Sequence, residues 1–178
     1  MPTTADILTF LERISNDLIV VAVVFHLLIL GFIITLATRW RPSKKIAGVL
    51  LSFALLSVPV IAWSYGNPFN GGIFSVFFLL LIFFSFKLPK EQVTITNSWI
   101  LFPAAAMILF GFFYPHFLHA NPFIYLIAAP TGLIPCPTLS LVIGFTLLFN
   151  NFQDMGRTVV IDRSVLRSIR CAETACFH

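Results

Sequence analysis

Charged residues are scarce in this chain of 178 residues. They make up 10% of it, whereas hydrophobic residues make up 58% and phenylalanine alone contributes 21 residues. This composition leaves too little polar surface to cover a soluble domain of this size, which excludes a soluble globular protein. The surplus apolar surface is therefore expected to face lipid, and the lipid bilayer is the first predicted partner.

The residues that usually carry catalysis are also missing. No charged residue occurs from Gln92 to Gln153, and no carboxylate lies within any apolar stretch. Zinc-protease, serine-hydrolase and phosphate-loop motifs are absent. Ion-coupled transporters usually place an acid within the membrane, and this chain has none there. We therefore predict a non-enzymatic protein with no cofactor and no nucleic-acid partner.

Long apolar stretches predict the fold. A helix needs roughly 20 residues to cross a hydrocarbon core of about 30 Å. Four stretches meet this length: Leu18–Thr38, Ile46–Ser64, Pro68–Leu88 and Trp99–Phe117. A fifth span is expected to begin at about Thr138, inside the apolar stretch Phe123–Phe152. The predicted fold is an all-α membrane protein, a five-span transmembrane helical bundle with a proline-broken segment before the last span.

Two segments flank the predicted membrane domain, which covers residues 18–152. Residues 1–17 form an amphipathic N-terminal segment, because apolar residues recur there at helical spacing. It is either an interfacial helix or an extension of the first span, and the sequence leaves both open. Residues 153–178 form a basic cytoplasmic tail.

Basic residues predict the orientation. Ten of the eleven Lys and Arg residues lie in two loops between spans and in the tail, and the loops that alternate with these contain none. Positive residues are retained on the cytoplasmic side, so the N-terminus is predicted outside and the C-terminus inside. Trp and Tyr prefer the membrane interface. Trp40 and Trp99 fall at predicted inner ends, and Trp63, Tyr65 and Tyr114 at outer ends.

Prolines interrupt the last apolar stretch. Pro130, Pro135 and Pro137 remove backbone donors and disfavour helix at the residues before them. We predict that Phe123–Pro137 is not one continuous helix, but a short re-entrant or interfacial piece, Phe123–Ala129, followed by an irregular link. Irregular backbone at membrane depth must be buried in protein or line a polar cavity.

Cys136 lies within this break. The predicted structural motif around it consists of Pro130, Gly132, Pro135, Pro137 and Thr138. Backbone carbonyls freed by the prolines have no partner in lipid, so we predict that Cys136 faces the protein interior. The alternative to a functional thiol is a small apolar side chain packed in a kink.

A soft-metal site is one prediction for Cys136. His116 and His119 are three residues apart, so on a helical turn they would share a face and could join Cys136 as ligands. Pro115 and Pro122 bracket the two histidines, which fits two interfacial histidines in a loop equally well.

His26 is a second polar candidate, because it lies inside the first predicted span. An ionisable residue there is a functional hypothesis by default, and a histidine hydrogen-bonded to a neighbouring helix is the alternative. A bis-histidine haem needs two facing imidazoles, and only His26 is deep enough. In the tail, Cys171, Cys176 and His178 are three soft ligands where structural zinc takes four, and a reduced, unliganded tail is the alternative.

Residues 130–149, PTGLIPCPTLSLVIGFTLLF, resemble the signature of a family of bacterial multi-pass membrane proteins of unknown function, in which a Pro-Cys-Pro-Thr segment opens the last span. Asn67-Pro68 ahead of the third span and Tyr114-Pro115 at the end of the fourth are also similar. Leu139-Ser140-Leu141 departs from the threonine-rich continuation of that family. The resemblance implies a bacterial inner-membrane location and a five-span core, and it carries no assigned activity.

Two functions fit these observations. The first is an accessory or structural subunit of a larger membrane complex or homo-oligomer. The second is a small carrier or sensor for a soft metal ion or thiol-reactive solute, which would use Cys136 with His116 or His119.

Overall fold

The fold is built from helices. The structure, a computed structural model, describes residues 4–96, 99–119 and 121–149. These residues form α1 Thr4–Asp17, α2 Ile19–Ala37, α3 Lys44–Ser64, α4 Pro68–Lys87, α5 Leu101–Phe112, a 3-10 turn Pro122–Ile124, α6 Tyr125–Ala128 and α7 Pro135–Leu148. This part of the chain has isolated β-bridges but no strand. The predicted tail, with Cys171, Cys176 and His178, lies outside the described residues.

Within the described ranges, three helices are long and apolar enough to cross a membrane. They are α2, α3 and α4, with 19, 21 and 20 residues. At about 1.5 Å per residue each spans roughly 30 Å, which is the thickness of a hydrocarbon core. The predicted all-α membrane fold and its first three spans are thus confirmed at this level.

The predicted five-span bundle is not supported in full. In the stretches expected to hold the last two spans, α5 has 12 residues and α7 has 14. They provide only about 18 and 21 Å of helix. One reason for the short α5 is Pro115, since the residue before a proline is pushed out of the helical region. The helix accordingly ends at Phe112 and not at the predicted Phe117.

Side-chain caps set two of the helix starts. The Asn67 side chain accepts a hydrogen bond from the Asn70 amide at 3.1 Å, and Pro68 occupies the first turn of α4. Ser43 caps α3 in the same way, accepting from the Ile46 amide at 3.3 Å. Both caps satisfy amides that a helix start leaves without intrahelical partners.

The amphipathic N-terminal segment is a bent continuation of the first long helix. Only Leu18 separates α1 from α2, and its φ of −111° marks the bend. The Leu18 amide donates to Ile14 O at 3.1 Å, and the Ala22 amide donates to Leu18 O at 3.1 Å. Backbone hydrogen bonding therefore runs through the junction, which favours the extension over a separate interfacial helix.

α5 and α7 pack against each other as an antiparallel pair. Glycines allow the close approach: a Cβ on Gly144 would lie 2.9 Å from Ala104 O, and one on Gly111 would lie 2.6 Å from Pro137 O. Small residues of this kind let membrane helices pack at short distance. α3 packs on α4 beside this pair, and the buried core between the two pairs includes Leu55 and Phe145.

The charges divide the molecule into two ends. We call the end that holds residues 39–45 and 87–96 the basic end, because every described Lys and Arg except Arg13 lies there. The Val93 amide donates to Pro42 O at 3.0 Å, and Lys44 Nζ lies 2.5 Å from Glu91 Oε2. The opposite end holds the C-terminal part of α1, the end of α3 and the loop 113–119.

Candidate functional site at the proline-rich turn

Residues 129–134 form a buried turn that leads from α6 into α7, and we call it the proline turn. Gly132 has a φ of 81°, a conformation that side chains other than glycine rarely adopt. A Cβ at this position would also lie 2.5 Å from the Phe25 ring of α2. The predicted break is thereby confirmed, since no continuous helix covers Phe123–Pro137.

The start of α7 corrects one expectation. The last span was predicted from about Thr138, with helix excluded around Cys136, but α7 begins at Pro135. Pro135 and Pro137 stand at the first and third helical positions. Amides there have no intrahelical acceptor, so losing them costs little, and the fixed φ of proline suits a helix start.

Thr138 holds the proline turn together. Its hydroxyl accepts a hydrogen bond from the Gly132 amide at 2.8 Å and donates to Ile134 O at 2.7 Å. The residue is 0% exposed. The Thr131, Leu133 and Ile134 amides also donate, to carbonyls of residues 129 and 130. The amides from Thr131 to Ile134 are therefore all satisfied within the protein.

Hydroxyl groups also tie the proline turn to two neighbouring helices. Ser57 of α3 donates to Gly132 O at 2.5 Å. Thr131 donates to Gly111 O of α5. Ser57 lies seven residues before the end of α3, so the turn sits about 10 Å inside that end. Irregular backbone at this depth is thus buried in protein, which is one of the two environments that lipid allows.

The His26 side chain lies between α2, its own helix, and the end of α5. The ring is 3% exposed, with Nε2 2.9 Å from Phe112 O and Nδ1 3.0 Å from Ala22 O. A neutral imidazole has one N–H group, so it donates to one of these two carbonyls. The Phe112 carbonyl is one of the last four of α5, which have no partner within the helix. This arrangement corresponds to the alternative in which His26 bonds to a neighbouring helix.

Cys136 does not face the protein interior, so that prediction was wrong. Its side chain is exposed, whereas Pro137 and Thr138 are buried. Prolines in the first turn of a helix do not leave any of its carbonyls without an amide partner. The reason given for an inward-facing Cys136 therefore does not apply. Cys136 lies near Tyr114 of the segment that follows α5.

His116 and His119 lie in a loop, which is the second of the two predicted arrangements. His119 Nε2 lies 2.6 Å from Glu12 Oε1 of α1, and its amide donates to Asn16 Oδ1 at 3.2 Å. The His116 ring stacks near Tyr114, with 5.3 Å between centroids. Both histidines are exposed.

The predicted metal ligands are not brought together. Among the described residues, no group of three or more His, Cys, Asp or Glu side chains is placed to hold a metal ion. Cys136 is on the outward side of α7, His119 pairs with α1, and His116 packs on an aromatic ring. The geometry therefore gives no support to a site built from Cys136, His116 and His119.

Sequence reasoning missed two residues of this region. Ser57 reaches Gly132 across 75 positions of the chain, and Asn16 Nδ2 donates to Phe117 O at 2.8 Å. The sequence signals that could have predicted these contacts are the hydroxyl of Ser57 within an apolar span and the side-chain amide of Asn16 just before one. Comparison with family models, curated protein sequences and solved structures gave no match to this chain.

Proposed function

We propose that this chain is a non-enzymatic integral membrane protein that serves as a structural subunit of a larger membrane assembly. The partner is either a different membrane protein or further copies of the chain. The observation that carries the proposal is the closed hydrogen-bonding of the proline turn. Carriers leave the backbone of broken helices free to coordinate substrate, whereas here Thr138, Ser57 and Thr131 bond within the protein.

The surface of α4 that faces away from α3 supports an assembly role. One side of α4 packs on α3, and bulky apolar side chains along the rest of the helix are exposed. They are Phe69, Ile73, Val76, Phe77, Leu79, Leu80, Phe83 and Phe86. Gly72 lies on the same face with open space beside it, which lets a partner backbone approach, and the larger side chains supply van der Waals contact. We assign this surface to the partner.

We further propose that α5 and α7 complete a five-crossing bundle in which the last two crossings are partly non-helical. α5 begins and α7 ends at the basic end. There the Thr96 amide donates to Leu148 O at 2.9 Å, and Ile95 forms an isolated β-bridge with Phe149. The proline turn lies near the other end. Each crossing would be completed by buried non-helical residues, Thr96 before α5 and Leu133 before α7.

The proposed orientation places the basic end in the cytoplasm of a bacterium, at the inner membrane. The support is the concentration of Lys and Arg at one end of the molecule, since such residues are retained on the cytoplasmic side. The resemblance carried by residues 130–149 points to the same membrane.

Site-specific photo-crosslinking in native membranes tests the subunit proposal. A photoreactive amino acid replaces Leu79 or Phe83, which are four residues apart and share the outer face of α4. Both positions are expected to capture the same protein. Leu51, which is 3% exposed in the core, is the matched control and should crosslink only within the chain.

Two results would contradict the proposal. If Leu79 and Phe83 crosslink to lipid alone, and the chain also runs as a monomer in mild detergent, the subunit function is refuted. Different, unrelated proteins captured from the two positions would also count against it, because a specific partner contacts both.

A further inference from the structure

An apolar groove lies between α2 and α3, and α7 forms its floor. Its volume is about 440 Å³, and ten apolar side chains from the three helices line it. Phe25 and Phe32 of α2 mark its length, which is about 10 Å along the helix axis. Leu50 and Phe53 of α3 are exposed at its rim, so the groove opens sideways, toward the bilayer.

Two arginines lie beyond the groove on the side of the basic end. Arg39 follows Phe32 by seven residues, and Arg41 lies in the same loop between α2 and α3. Both are exposed, and neither forms a salt bridge with any residue in the described ranges. Glu91, the acidic residue at this end, is already paired with Lys44.

We propose that the groove binds an acyl chain of an anionic phospholipid whose phosphate contacts Arg39 and Arg41. Half of a hydrocarbon core is about 15 Å, or about ten helical residues, so a chain held at the level of the arginines reaches the groove beside Ile29. The ligand is a lipid of the leaflet at the basic end. This inference does not depend on the proposed subunit function.

The lining favours an acyl chain over a helix. Helices that associate in membranes usually meet through small or polar residues, which let their backbones approach. Ala54 is the one small side chain among the ten that line the groove, and the others are Phe, Leu or Ile. A flexible hydrocarbon chain can follow such a surface, and cations at the mouth select an anionic headgroup.

Lipid titration of the full chain in mild detergent, followed by native mass spectrometry, tests the headgroup contact. Phosphatidylglycerol is expected to bind on the order of 10-fold more tightly than phosphatidylcholine with the same acyl chains. The double variant R39Q/R41Q should lose this preference. The charge-matched control K87Q/K90Q, at the same end, should keep it. Equal binding of the two lipids by the unaltered chain, or an equal loss in both double variants, would overturn the headgroup assignment.

Filling the groove tests the acyl-chain contact. Ala54→Phe projects a ring into the groove, and Ala105→Phe adds the same ring to an exposed position of α5. Ala54→Phe should lose most of the bound phosphatidylglycerol, while Ala105→Phe should retain it. If Ala54→Phe instead changes the number of copies in the assembly and leaves lipid binding intact, a second chain occupies the groove and the proposal fails.

A photoactivatable phosphatidylglycerol gives a measurement that needs no variant. Its acyl chain is expected to label α2 between Phe25 and Phe32 and α3 between Leu50 and Ala54, well above the labelling of the exposed Leu109 and Phe110 of α5. Lipid that merely surrounds the protein would label these two side chains as strongly. Such even labelling would contradict a specific site.

Discussion

Replacing Thr138 with valine should destabilise the protein more than any other hydroxyl-to-methyl change in α7. The substitution keeps the shape of the side chain and removes its hydroxyl. The Gly132 amide then loses its acceptor at 2.8 Å, and Ile134 O loses a donor at 2.7 Å. The site is fully buried, so water cannot replace either partner.

The magnitude follows from these two losses. A buried amide left without an acceptor costs about 1–3 kcal/mol. Losing the second bond costs only about 0.6 kcal/mol, as is typical of side-chain hydrogen bonds in membrane proteins. That carbonyl also keeps the Thr138 amide, at 3.4 Å, as a donor. The expected decrease in the free energy of unfolding is about 1.6–3.6 kcal/mol.

Two variants serve as controls. Thr138→Ser keeps both hydrogen bonds and removes one buried methyl group, which costs about 1 kcal/mol. Thr146→Val removes a hydroxyl that bonds only to Ile143 O of its own helix at 2.8 Å, so a change below about 0.5 kcal/mol is expected. The free energies come from reversible unfolding of the full chain in mixed micelles with increasing sodium dodecyl sulfate.

The order of the three free energies of unfolding tests the role of the Thr138 hydroxyl. Thr138→Val should be the least stable, followed by Thr138→Ser and then Thr146→Val. If Thr138→Val is as stable as the unaltered chain while Thr138→Ser is destabilised, packing of the methyl group, and not the hydrogen bond to Gly132, holds the proline turn.

Three further predictions concern other parts of the molecule. Gly132→Ala should lower the unfolding midpoint, because of its positive φ and the nearby Phe25 ring, whereas Gly31→Ala, in an open helical position, should leave it unchanged or raise it. Cys136 should react with a lipid-soluble maleimide in the folded protein once the tail cysteines are changed to serine, and protection from the reagent would contradict its exposure. The pKa of Tyr65 is raised above 10.0 by burial and then by Asp17, so Asp17→Asn should lower it in a phenolate absorbance titration. The folded state holds this proton more tightly than the unfolded state does, so the associated stability is complete below about pH 10 and is lost as the pH rises through the raised pKa.

Much of the architecture could be predicted because it depends on composition and on local chemistry. The lengths of the apolar stretches placed α2, α3 and α4, since a helix that crosses lipid must satisfy its own backbone. Asn67 and Pro68 start α4 through contacts within one turn. The break before α7 was predictable for the same reason, because proline acts on its own backbone and on the residue before it.

The site depended on contacts between residues far apart in sequence. The length of α5 was overestimated, because apolarity alone does not show that Thr131, 20 positions further along the chain, bonds to Gly111 O at the end of this helix. The direction of Cys136 was mistaken because it depends on where α7 begins. A proline is unfavourable within a helix and favourable in its first turn, and only the packing of the proline turn against α3 and α5 decides which of the two applies.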